Sequence, residues 1–298
     1  MGSVWGMLAL HQVTKSFGEL LALDHVDFTV APGRLTGFVG GNGAGKTTAM
    51  RIVLGVLAAD SGEVSLDGRP LTPADRRRFG YMPEERGLYP KMPVLEQVAY
   101  LARLHGFSRT EAFDSARSLL TRLGLEARLN DLVETLSLGN QQRAQLAAAL
   151  VHEPTVLVLD EPFSGLDPLA VDAVAQVLQE RAAQGAAVLF SSHQLELVER
   201  LCDDLVIIAA GRIRAAGSGE ELRARHDGQR YELAAAGLDW LVAEPGVQVL
   251  ERRPGLAVID ADAEAAQRVL RRAIASGPVE RFAHVRPSLT EIFREVVA

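Results

Sequence analysis

The hydrophobic pattern of this chain changes its period several times. Between Leu8 and Val30 apolar and polar positions alternate over short runs such as "VDFTV", which predicts half-buried antiparallel strands. "GRLTGFVG" then runs as a strand into a glycine-rich turn, and "KTTAMRIVLGVL" follows with helical spacing. "GEVSLDGRPL" predicts another strand with an Asp-Gly turn, and "RRFGYMPEE" a strand before a loop. From about Met92 to His152 the spacing is helical throughout, as in "SRTEAFDSARSLLTRLGL", which reads as an inserted helical subdomain. "TVLVLDEP" and "AAVLFSSH" are continuous apolar runs alternating with helices, the mark of a parallel sheet buried on both faces. After Gly211 the pattern shifts again: "GVQVLERRPGLAVIDAD" and "AEAAQRVLRRAIAS" predict a small α+β appendage closed by the helix "PSLTEIFREVVA". The pattern as a whole predicts an α/β fold. It has a parallel core sheet, an antiparallel β subdomain and an inserted helical subdomain in residues 7–227, and a small C-terminal α+β domain in residues 228–298.

Composition narrows the function classes. The 298 residues are 48% hydrophobic and 23% charged, an ordinary globular balance, and the net charge of -7 disfavours a nucleic-acid surface. The triplet Arg76-Arg77-Arg78 is too short to reverse that and reads as a solvated face, with anionic lipid or a partner as the alternative. A single cysteine, Cys202, excludes an internal disulfide framework or a thiolate zinc site and reads as a small core residue. No apolar stretch reaches the roughly 18 residues a bilayer span requires, and the opening "MGSVWG" completes neither a signal segment nor a myristoylation motif. The expectation is a cytoplasmic chain, unless something tethers it.

The chemistry concentrates at strand ends. "FVGGNGAGKTTAM" satisfies G-x-x-x-x-G-K-[ST] from Gly40 to Thr47, between a strand and a helix, the pattern of a P-loop nucleotide-binding domain. Its backbone amides, across Gly40, Gly41, Asn42, Gly43, Ala44, Gly45, Lys46, Thr47 and Thr48, are expected to cradle phosphate oxygens. Lys46 is expected on the β- and γ-phosphates of ATP, and the Thr47 hydroxyl on Mg²⁺. Asp160 ends the strand in "TVLVLDEP" and can hold the magnesium shell; Glu161 beside it can take a proton from the attacking water. His193 ends the next apolar strand, where its position beside Glu161 favours holding that water in line; the alternative is a structural histidine satisfied by Ser191 or Ser192.

A second helix start is built for an anion. In "TLSLGNQQRAQLAAALVHEP", Ser137 is a good N-cap, and by itself it would bond only the amides of its own helix. The order of motifs weighs against that simple role. The phosphate loop, "YMPEE", "LSLGNQQR", "LVLDEP", "SGLD" and "SSH" follow one another over residues 8 to 226, and in this the chain resembles the ATP-binding-cassette (ABC) ATPases. The resemblance implies that two cassettes pack head to tail, so that Ser137 and Gly139 serve the ATP held by the partner cassette. It implies that Asp167, in "SGLDP", lies in the loop crossing that interface, and that Phe17 stacks on adenine. It also implies that Glu84 occupies the position that bridges magnesium and a transport partner, with Glu85 as the alternative if the alignment slips by one. Three departures stand out: Gly41 replaces a proline-like residue, Leu138 and Asn140 alter the signature, and Glu84 replaces a glutamine.

"PEERGLYPKM", the "GNQQ" variant and the tail "RPSLTEIFREVV" resemble ATPase subunits of two-component exporters of the sodium-extrusion and drug-resistance (ABC-2) type. That resemblance implies a separate membrane permease as partner and a second ATPase subunit, either another copy of this chain or a sister subunit. The alternatives are a non-transport ABC ATPase and an ATP-binding regulatory protein. For the tail, a role in dimerisation or regulation and a plain packing role stand side by side.

Overall fold

The computed structural model describes residues 6–85, 87–225 and 229–297. Its contacts divide the chain into two compact units that meet between Gly219 and Glu220. The opening residues 1–5 and the boundary placed at residues 227–228 from the sequence lie outside the described residues.

The first unit is built on a six-stranded sheet. From edge to edge its strands are Arg212–Ser218, Asp204–Ala209, Leu35–Val39, Ala187–Ser192, Val156–Leu159 and Phe79–Met82. All neighbours are parallel except the Arg212–Ser218 strand, which pairs antiparallel with its neighbour. Every residue of Leu35–Val39, Val156–Leu159 and Ala187–Ser192 is buried. Burial on both faces explains why these strands read as unbroken apolar runs. An antiparallel sheet, in the order Leu20–Val30, Leu8–Phe17, Ser61–Leu66 and Arg69–Pro70, shares a hydrophobic core with the parallel sheet and the Lys46–Val53 helix. In that core Phe28 and Phe38 meet with ring centroids 5.1 Å apart.

Between the Phe79–Met82 and Val156–Leu159 strands lie the helices Val94–Leu104, Arg109–Arg122 and Leu138–Leu150. The second of these starts with a capping box, in which the Ser108 hydroxyl accepts the Glu111 amide and the Glu111 carboxylate accepts the Ser108 amide. The Leu138–Leu150 helix runs back to the sheet over Gly80, where a side chain would meet the Ala149 carbonyl at 2.3 Å. Cys202 follows the Leu195–Leu201 helix, and burial pushes its thiol pKa well up, so it stays protonated and inert.

The second unit carries an antiparallel sheet in the order Val247–Arg253, Leu256–Ala261, Arg230–Ala235 and Val279–His284. Leu233, Ile259 and Ala261 from one face of that sheet pack with Ala265, Val269 and Ala273 of the Ala263–Ser276 helix. Among the described residues no helix is long and apolar enough to cross a membrane.

The Gly80 contact yields a stability prediction. Gly80→Ala should lower unfolding stability by about 1–3 kcal/mol through overpacking against a backbone oxygen, measured by urea denaturation. Gly87→Ala, where the methyl would meet only open space, should leave the midpoint unchanged.

Candidate active site

The site lies where the parallel strands end. Val39 leads directly into the phosphate loop, whose left-handed residues Gly43 (φ 75°) and Gly45 (φ 110°) turn the chain into the Lys46–Val53 helix. That helix has no side-chain cap and no acidic residue in its first turn, so its leading amides keep their capacity for an anion. Gly40 packs so tightly that a Cβ would sit 2.4 Å from the Ile208 carbonyl, whereas one at Gly41 would meet nothing within 4 Å. Position 41 therefore has room for a side chain, whereas position 40 has none.

Lys46 is buried, and its Nζ donates to the carbonyls of Gly40 (2.6 Å) and Gly41 (3.2 Å). No carboxylate neutralises it among the described residues, and an unneutralised buried ammonium suits a phosphate. The Thr47 hydroxyl donates to Asp160 Oδ2 at 2.9 Å, and Asp160 is 2% exposed. A hydroxyl, a carboxylate and nearby phosphate oxygens make the hard, sparse ligand set that magnesium prefers. Among the described residues no cluster of three His, Cys, Asp or Glu residues could hold a metal unaided.

Ser191 joins the two acids at the strand end. Its hydroxyl donates to Asp160 Oδ1 at 2.5 Å and accepts the Glu161 amide at 2.8 Å. Glu161 has φ 50°, a left-handed conformation that an L side chain adopts only when its surroundings impose it. The Gln142 side chain donates to the Glu161 carbonyl at 2.9 Å and helps to fix that turn. His193 Nδ1 lies 3.0 Å from Glu161 Oε2, so the histidine is satisfied by the glutamate; Ser192 instead accepts the Gln194 amide. Burial, with Asp160 nearby, raises the pKa of the Tyr81 phenol, which therefore keeps its proton.

A cavity of about 550 Å³ opens at this strand end, and His193, Ser191 and Gln142 do not line it. Phe17, the phosphate loop from Gly41 to Thr48, Glu84, Asp160 and Glu161 line it. Phe17 is 47% exposed, with Lys15 Nζ 5.7 Å from the ring centroid. Glu84 is exposed on a short loop whose neighbours are anchored, since the Gln145 amide donates to the carbonyls of Pro83 (2.8 Å) and Glu85 (3.1 Å).

Ser137, Gly139 and Asp167 do not line this cavity. Ser137 caps the Leu138–Leu150 helix loosely, accepting the Asn140 amide at 3.4 Å, and Leu138 is 60% exposed. A Cβ at Gly139 would come within 3.2 Å of the Gly165 carbonyl, so the "SGLD" loop and the "LSLGN" turn lie against each other. Asp167 caps the Pro168–Ala183 helix through the Ala170 amide at 2.9 Å.

Sequence reasoning missed three contributions. Ser191 reads in the sequence as a possible partner for His193, yet it bonds the acids. Gln142 lies inside an ordinary helical run. Leu20–Ala22 and Ala210–Gly211 close one end of the cavity from distant turns; the only signal there is Gly211, where a Cβ would press on the Ala22 carbonyl at 2.8 Å. Ser191→Ala should therefore cost about 1–3 kcal/mol of stability by leaving a buried carboxylate oxygen without its donor, read as a lowered urea midpoint. Ser192→Ala should cost less.

Comparison with known proteins agrees with this geometry. Residues 23–164 match the family model described as ABC transporter, and residues 217–297 match "ATP-binding protein DrrA1-3-like, C-terminal domain". The ABC transporter ATP-binding protein YhaQ of Bacillus subtilis is 43% identical over 217 residues, 73% of each chain. Nod factor export ATP-binding protein I of Paraburkholderia xenovorans is 38% identical over 220 residues, 73% of this chain and 72% of that one. A solved ATP-binding subunit of an ABC transporter superposes with a TM-score of 0.69 at 33% identity, covering 74% of this chain and 93% of that one. The chain belongs to the ABC transporter ATP-binding proteins, and it is an ABC ATPase.

Proposed function

We propose that this chain is the ATP-hydrolysing subunit of an exporter whose membrane-embedded permease is a separate protein, and that it works at the inner face of the membrane through that permease. Residues 7–227 are assigned to the ATPase, with 92–152 as its helical subdomain, and residues 228–298 to an accessory domain that supports dimerisation or regulation. The export ATP-binding protein of P. xenovorans lends the direction of transport its support.

The observation that carries the proposal is the separation of two anion-competent helix starts. The Lys46–Val53 start opens on the phosphate cavity, while Ser137 and Gly139 stand off it in the same chain. A head-to-tail pair of cassettes gives the second start a purpose, because each would close over the partner's γ-phosphate. Two copies of this chain make the simplest such pair.

Lys46 and the loop amides hold the phosphates of ATP, and Phe17 takes the adenine on the exposed face of its ring. Magnesium, when bound, supplies charge neutralisation on the β- and γ-phosphates, with Thr47, Asp160 and Glu84 as its protein ligands. Glu161 accepts a proton from the attacking water while its turn is fixed by Ser191 and Gln142. His193, at 3.0 Å from the glutamate, orients that carboxylate and the water it serves. ATP binds the closed pair more tightly than the open one, and that difference drives the permease. Release follows hydrolysis.

Replacing the base should trap the closed state. Glu161→Gln should turn over ATP about 10²-fold or more slowly and should double in mass in solution when Mg-ATP is added, as read by light scattering. Adding Ser137→Arg should return it to a monomer. A mass that ignores ATP would sink the composite-site reading.

A further inference from the structure

We propose that a pocket at the amino-terminal edge of the parallel sheet binds a small, multiply charged phosphate anion. The pocket has a volume of about 500 Å³ and is lined by Arg77, Arg78, Arg181, His105, His152 and Glu153, among others. Arg77 and Arg78 precede the Phe79–Met82 strand, and Glu153 precedes the Val156–Leu159 strand. The site therefore lies at the opposite ends of these strands from Asp160 and the nucleotide cavity.

Charge carries the argument. Three guanidiniums share the pocket with one carboxylate, Glu153. Among the described residues neither Arg77 nor Arg78 forms an ion pair. Arg181 has local duties: its Nη1 donates to the Gln184 side chain at 2.7 Å, and its Nη2 reaches the Pro154 carbonyl at 3.5 Å. Its buried Nε, however, has no partner. In a chain of net charge -7, a concave site with a surplus of arginine is a local inversion of the overall field. Arginine forks match phosphate oxygens in geometry as well as in charge.

The two histidines form one wall of the pocket. Their rings stack with centroids 3.7 Å apart and an interplanar angle of 17°. His152 Nε2 meets the Phe79 carbonyl at 3.1 Å. Burial pushes His152 down to about 4 and lowers His105 as well, so at neutral pH the wall is uncharged. Arg77, Arg78 and Arg181 are the cations that line the pocket with the histidine pair, and Glu153 is the acid. The arginines supply the charge, and the imidazoles supply flat, hydrogen-bonding surface. The volume falls in the roughly 300–1,000 Å³ range of small-molecule sites and suits a diphosphate or a nucleotide-sized ligand.

The phosphate loop is also suited to phosphates, so the test weakens it by removing Lys46, and Arg77 and Arg78 tell the two sites apart. Inorganic pyrophosphate is titrated calorimetrically into the full chain carrying Lys46→Ala, with and without Arg77→Gln and Arg78→Gln. Both arginines are exposed, and equal thermal midpoints would establish that the fold is kept. The expected result is one equivalent bound by Lys46→Ala, weakened at least tenfold by the arginine changes. No binding by Lys46→Ala, or binding indifferent to Arg77 and Arg78, overturns the proposal. A parallel flotation assay with phosphatidylglycerol vesicles separates free from lipid-borne phosphate. Vesicle capture that depends on Arg77 and Arg78 overturns the assignment to a soluble anion.

Discussion

A carboxylate that is 2% exposed must be fully hydrogen-bonded, and the nucleotide end of this structure is organised around meeting that demand at Asp160. One oxygen takes the Thr47 hydroxyl and the other the Ser191 hydroxyl, so Asp160 ties the phosphate-loop helix to the neighbouring strand. Ser191 passes the constraint on to the Glu161 amide, and Gln142 holds the Glu161 carbonyl from the helix that starts at Leu138. Through these bonds Glu161, the phosphate loop and the Leu138–Leu150 helix share one framework. The parallel sheet makes this possible because its apolar strands leave polar groups only at their ends.

The two helix starts differ in a way that bears on their use. The one after Gly45 has no cap at all, and its loop closes against the Ile208 carbonyl and the turn at Ala22. The one after Ser137 has a cap with a long bond, 3.4 Å, followed by an exposed leucine, Leu138. Asn140 is engaged by Arg143 in its own chain, while Ser137 is held only by its long bond to the Asn140 amide. A side chain at Gly139 would be tight, since its Cβ would lie 3.2 Å from the Gly165 carbonyl.

Much of the fold was legible because burial writes directly into hydrophobic period. "TVLVLDEP" and "AAVLFSS" are unbroken apolar runs because both faces of those strands are covered, and the helical subdomain kept its 3.6-residue spacing for the matching reason. The phosphate loop was legible because few residue types fit its turns. Ser191 was not, since a serine at a strand end carries no sign of which neighbour it will bond. The left-handed turn at Glu161 was hidden for a similar reason, being imposed by Ser191 and Gln142 rather than by a local glycine. The far wall of the nucleotide cavity depends on turns near Leu21 and Ala210, which only the folded sheets bring together.

The central claim is that the second helix start of one chain serves the phosphate loop of another. Oxidative crosslinking tests it most directly, using copies with Gly41→Cys mixed with copies carrying Ser137→Cys. Position 41 has open space for a side chain, and the native Cys202 is only partly exposed, with a raised pKa that keeps it a thiol. The account predicts a disulfide between positions 41 and 137 of different chains that forms with ATP and not without it. Crosslinks only between like positions, or a 41–137 link indifferent to ATP, would contradict it.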